Sequence, residues 1–293
     1  GCVQFFTPAF SRMKESGNRF RWMKGMSVSL PLLLLLLFLP YARSFDLLLF
    51  ADDFHAWRIA QSANRWQDLL TTPFLPEFFR PLELILIRLN LALAGMNPII
   101  YHAVVIAGHL AVIATIYLLA RKLRRTHAQA LAAALLFGLS ETNAMAVMGN
   151  DTAGQVFSVL FGNLALAAFL TDEKTRWTFI QGGVCFFFTL LWKDSAVIYT
   201  AMCFIAIGVK AWPDRKYRDA VIGGLSLICA FLIYWHWRQV AGVVLPGISV
   251  GRYTIMSSAK SLINAAYLLG ATVSPLGAPI LLTIKNHALW LAL

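Results

Sequence analysis

The run Leu32-Leu33-Leu34-Leu35-Leu36-Leu37-Phe38-Leu39 is followed shortly by Phe50-Ala51-Asp52-Asp53-Phe54-His55. The first stretch carries no polar side chain. The second sets two carboxylates side by side. Adjacent charges at the exit of an apolar run are costly unless water, a cation or a substrate receives them. If the run crosses a bilayer, Asp52 and Asp53 stand at the surface where the chain emerges.

The composition points to a membrane. Hydrophobic residues make up 59% of the 293 and charged residues 13%, roughly half the charged share of a soluble domain. The net charge of +11 does not mark a nucleic-acid binder, because the basic residues cluster between apolar runs. That placement reads as topology and contact with anionic lipid. Cys2, Cys185, Cys203 and Cys229 show no metal-ligand spacing and no disulfide framework.

A helix crosses hydrocarbon with about 20 apolar residues. Spans are predicted at roughly 25–42, 98–120, 127–142, 152–171, 177–192, 195–209, 220–236 and 261–284, with a ninth beginning near 288. Three basic clusters set the orientation. Arg12 to Lys24 precede the first span, Arg121 to Arg125 follow the second, and Lys210 to Arg218 follow the sixth. Even numbers of spans separate them, so all three are expected in the cytoplasm. The expected fold class is all-α, a polytopic transmembrane bundle. Residues 1–25 form its basic cytoplasmic N-terminal segment and 26–293 its membrane domain. The chain ends inside an apolar stretch and is read as truncated at its C-terminus. A cleaved signal peptide is the alternative for the first span, and it too leaves Asp52-Asp53 outside. Pro81 to Met96 is apolar with Glu83, Arg88 and Asn90 embedded. Counting it as a span would put Arg121 to Arg125 outside, so it is read as an interfacial helix opened by Pro81 and closed near Gly95.

Under this topology carboxylates, Arg, Lys and His meet on the outer side. Among them are Asp52, Asp53, His55, Arg80, the tight loop Lys193-Asp194 and Arg238, with His102 one turn inside the second span. Each has a bland alternative. Asp52-Asp53 also suits a helix cap, Lys193-Asp194 a solvated turn, and Arg80 an anchor to lipid phosphate. His102 and His109, seven apart, suit helix–helix hydrogen bonding. Taken together, the cations suit a phosphate, and a carboxylate among them suits a general base or a metal ion.

At these residues the chain resembles the membrane glycosyltransferases of the GT-C fold that use polyprenyl-phosphate sugars. It is most similar to the protein O-mannosyltransferases whose membrane domain is often followed by tetratricopeptide repeats. Phe50-Ala51-Asp52-Asp53-Phe54 resembles the acidic motif of the first outer loop. Phe79-Arg80-Pro81-Leu82, then Leu89-Asn90, then Gly95 through Asn97-Pro98 to Tyr101-His102 resemble a second stretch, with His109 beyond. Ser140 to Asn143 resembles a third, although the proline before its acidic residue is absent, so no role passes to Glu141. Trp192-Lys193-Asp194-Ser195-Ala196 resembles a fourth, with Asp194 where the family carries Glu.

The resemblance implies a sugar donor on polyprenyl phosphate and a protein, glycan or lipid acceptor, with inversion at the sugar. One of Asp52 and Asp53 would be the general base. The other would orient the acceptor or bind a divalent cation (Mg or Mn). Arg80, Lys193 and Arg238 would hold the phosphate, with His102 as a further contact and Asp194 in support. The expected location is the extracytoplasmic face of an integral membrane protein, a bacterial inner membrane being favoured over the endoplasmic reticulum. The rival class is a transporter, flippase or membrane scaffold, for which broken helices near mid-membrane would be the mark.

Overall fold

The computed structural model describes residues 29–49, 52–149, 152–171, 176–211 and 217–243, with only the backbone at 52, 141, 142, 144, 145 and 176. These residues are mostly helical and contain no strand, only an isolated bridge between Leu75 and Phe78. We number the helices α1 (Ser29–Asp46, ending as a 3-10 turn), α2 (Asp52–Ser62), α3 (Pro81–Ala94), α4 (Pro98–Lys122), α5 (His127–Gly138), α6 (Glu141–Met148), α7 (Ala153–Phe169), α8 (Arg176–Trp192), α9 (Ile198–Ala211) and α10 (Tyr217–Val240). A 3-10 turn, Asp194–Val197, leads into α9.

Among the described residues, four helices are long and apolar enough to cross a membrane. They are α1, α4, the 18-residue segment Asp194–Ala211 and α10. This makes the chain an integral membrane protein. The expected spans at 152–171 and 177–192 appear as α7 and α8, of 17 residues each. Each rises only about 25 Å, short of a hydrocarbon core of about 30 Å. The spans expected at 261–284 and near 288, and the basic segment 1–25, lie outside the described residues.

One expected span takes a different form. Residues 127–142 do not make a single helix: α5 stops at Gly138 and α6 starts at Glu141. The capping box at Thr126 and Gln129 starts α5 firmly. At the far end, Asn143 Nδ2 donates to the Phe137 carbonyl, a side chain competing for a helix-terminal acceptor. The two pieces climb the same neighbour. Ala130 and Ala134 of α5 pack on Ile113 and Tyr117 of α4, and Val147 of α6 packs with Ile106 one level up. Their combined rise is about 30 Å, comparable with the thickness of a hydrocarbon core.

The main core lies where α7, α8 and α10 meet. Phe169, Phe186, Leu190 and Leu227 are buried there, and Phe79 from the loop before α3 joins them. Gly183 of α8 admits Ser226 of α10, the close packing that small residues allow in membranes. A second cluster (Ala56, Ala60, Leu69, Phe74, Leu84 and Ile87) binds α2 to α3. The helix expected over 81–96 forms as α3, with Pro81 in its first turn and Gly95, φ 59°, at its end. Asn97 caps α4 by accepting from Ile99 N.

Candidate active site

Residues 47–49 and 52–102, the start of α7 and the C-terminal ends of α8 and α10 bring the sequence candidates to one end of the bundle. Four contacts tie that end together. His102 Nε2 bonds the Leu47 carbonyl at 3.2 Å. Gly154 N donates to Glu83 at 3.4 Å. Phe79 N donates to Asp194 Oδ2 at 2.9 Å. Arg238 Nη2 donates to the Glu77 carbonyl at 3.1 Å. The basic residues Arg121, Lys122, Arg124 and Arg125 lie at the opposite end, where Lys122 Nζ reaches Thr171 at 2.7 Å.

Arg80 is the best-defined cation of the site. Its guanidinium lies 4.9 Å from the ring centroids of both Phe74 and Phe78, a cation–π clamp. Its Nη1 donates to Glu83 Oε2 at 3.5 Å. Its Nε is buried with no hydrogen-bond partner. Glu83 is fully buried one helical turn along α3 and meets the first turn of α7 through Gly154 N, where the helix dipole favours an anion. A Cβ on Gly154 would lie 2.5 Å from Glu83 Oε2 and 2.7 Å from the Trp192 carbonyl. Only glycine allows this approach.

Asp194 is the second fixed point. Besides Phe79 N, its carboxylate accepts from Tyr234 Oη and lies 3.9 Å from Arg238 Nε. It thereby joins the loop before α3 to the end of α10, with Arg80 close enough to act on it electrostatically. Arg238 is buried, 4% exposed, and spends its other donors on the carbonyls of Glu77 and Val243. Lys193, half-buried, precedes Asp194 at the start of the 3-10 turn.

Asp53 belongs to a neighbouring group. It is buried, 8% exposed, in the first turn of α2, and acts electrostatically on His102 and Tyr101 of α4. His102 is fully buried and its Nδ1 has no partner. Trp57 donates to Tyr101 Oη at 3.0 Å, holding α2 against α4. From α2, His55 bonds the Phe74 carbonyl at 3.3 Å, and Phe74 is one wall of the Arg80 clamp. The two groups are thus linked through α2 and Phe74. The backbone of Asp52 opens α2, and its side chain lies outside the description. Among the described residues no three His, Cys, Asp or Glu gather as metal ligands.

Two residues of the site carry no expectation from the sequence. Glu83 had a legible signal, a carboxylate three residues after Arg80 inside an apolar helix, the spacing of an ion pair. Tyr234 had none, since a tyrosine near a span end reads as a membrane-belt residue.

The chain is similar to protein O-mannosyl-transferases. It is 28% identical over 185 residues to Protein O-mannosyl-transferase TMTC2 of Homo sapiens, covering 58% of this chain and 22% of that protein. It is 30% identical over 184 residues to the Mus musculus protein of the same name, with the same coverage. The chain thus spans less than a quarter of the length of these relatives. No family profile and no solved structure matches it.

Proposed function

We propose that this chain is the membrane part of a glycosyltransferase. It moves a sugar from polyprenyl phosphate to a hydroxyl acceptor on the extracytoplasmic face. The observation that carries the proposal is Arg80: a cation clamped by two rings, beside Lys193-Asp194 and linked to the Asp53–His102 group. The similarity to proteins named O-mannosyl-transferases supports the same reading.

In the proposed mechanism Asp53, aided by Asp52, takes the proton of the acceptor hydroxyl. The acceptor oxygen bonds the anomeric carbon as the bond from that carbon to the phosphate oxygen breaks, inverting the centre. The bonding pair leaves with polyprenyl phosphate, and Arg80 and Lys193 stabilise its growing charge. Such preorganised charges are each worth about 2.7–4 kcal/mol in a transition state. Arg238, engaged with Glu77 and Asp194, works from behind by fixing their positions. Asp52 and Asp53 would be the residues to hold a divalent cation, which would supply positive charge beside the leaving phosphate. Helix α3 lies at the interface and walls the donor groove.

A membrane assay with sugar-loaded polyprenyl phosphate tests this. Asp52→Asn and Asp53→Asn, each expressed at the normal level, are expected to lose transfer. Full activity in both overturns the proposal. The interruption between α5 and α6 favours a second reading, lipid flipping or transport. A transport defect with intact glycans on deletion would support that one.

A further inference from the structure

The interruption between α5 and α6 borders a partly open cavity of about 130 Å³, lined by His109, Val112, Phe137, Asn143, Ala146, Gln155, Val156 and Val159. One water needs only roughly 10–15 Å³ of such space, so the cavity has room for a guest of many atoms. His109 is buried, 2% exposed, and its Nε2 has no partner. The Gly138 carbonyl at the end of α5 is close enough to act on the ring. A neutral imidazole can offer Nε2 as an acceptor. The Phe137 ring stacks on His109, with centroids 5.8 Å apart. Asn143 and Gln155 add two neutral amides.

Apolar walls with a few neutral hydrogen-bonding groups suit an uncharged, hydroxyl-bearing guest. Among the described residues the cavity's lining carries no charged side chain, a lining better matched to a sugar than to a phosphate. Its position suits the other half of a lipid-linked sugar. Gln155 follows Gly154, whose N–H holds Glu83, the partner of Arg80. His109 lies two turns along α4 from His102, which adjoins Asp53.

We infer that this cavity is the sugar pocket, with His109 Nε2 accepting a hydroxyl hydrogen from an uncharged hexose ring whose phosphate sits at Arg80. The inference rests on the proposed function and adds the residues that select a sugar-bearing lipid. Phe137 presents an aromatic face to the ring's C–H groups, and the amides take further hydroxyls.

Binding of two lipids to the purified full-length protein tests it: polyprenyl-phosphate mannose, and polyprenyl phosphate without sugar. The wild type is expected to prefer the mannose-bearing lipid at least about tenfold, the scale of one well-made hydrogen bond. His109→Leu is expected to remove that preference while still binding the bare phosphate. His109→Gln, which restores an acceptor, is expected to recover part of it. Val159→Phe fills the cavity without touching its polar groups and is expected to reject only the sugar-bearing lipid. If His109→Leu is poorly folded, Val159→Phe decides alone. A wild type that binds both lipids equally, or a Val159→Phe protein that keeps its preference, overturns the inference and leaves the proposed function standing. A wild type that binds neither overturns both.

Discussion

Asp194 shows how one short carboxylate organises a site. It accepts from the backbone of Phe79 and from Tyr234 Oη, and faces Arg238. Replacing it by Ala removes the carboxylate that faces Arg238. Breaking a buried pair in this way costs about 3–5 kcal/mol, and Asp194, half-buried, is expected at the low end. Thermal unfolding in detergent should show Asp194→Ala less stable than the wild type, with Asp194→Asn between them. Equal stability of all three would mean that Asp194 ties nothing together. The sequence singled out Asp53, Arg80, Lys193, Asp194, Arg238 and His102, and the fold brings all six to one end of the bundle. It did not reveal that Arg238 is engaged by carbonyls, because backbone acceptors leave no mark in side-chain identity. His109 read as a helix–helix hydrogen bonder. Its bare Nε2 became visible only with the cavity in place.

At the scale of elements, the contact between α3 and α7 decides where Arg80 points. Gly154→Ala would drive a methyl group against Glu83 Oε2 and the Trp192 carbonyl. Overpacking of this kind costs about 1–3 kcal/mol. Because Glu83 is the anion that holds Arg80, the variant is expected to lose donor binding as well as stability. Normal affinity for polyprenyl phosphate in Gly154→Ala would show that the Glu83 contact does not position Arg80. Helix α3 was legible from Pro81, Gly95 and the apolar pattern between them. The interruption at residues 139–140 was not, because Leu135 to Leu139 continues the apolar run without a proline. At the break Asn143 takes the Phe137 carbonyl, a local side-chain bond that hydropathy does not register.

For the whole molecule, the charge asymmetry makes a topological claim. The carboxylate-rich end and the end carrying Arg121 to Arg125 lie on opposite faces of the bundle, as the positive-inside rule requires of a crossing α4. Cysteine introduced at exposed Gln61 in α2 should react with an impermeant reagent from outside intact cells or sealed vesicles of matching orientation. Cysteine at Arg124 should react only after permeabilisation. The opposite pattern would place the site on the cytoplasmic face and remove the proposed donor side. The helical, membrane-bound character of the chain was readable because hydropathy sets it. The short lengths of α7 and α8 and the gap between α5 and α6 were not, since packing and local caps decide where a helix stops.

The most direct test is sugar transfer by the full-length protein carrying Arg80→Gln, at normal expression, from polyprenyl-phosphate mannose in isolated membranes. Loss of one preorganised charge lowers turnover by about a hundredfold to a thousandfold, and that drop is the expected result. An unchanged rate would contradict the account, because the clamped cation on which it rests would then take no part in the reaction.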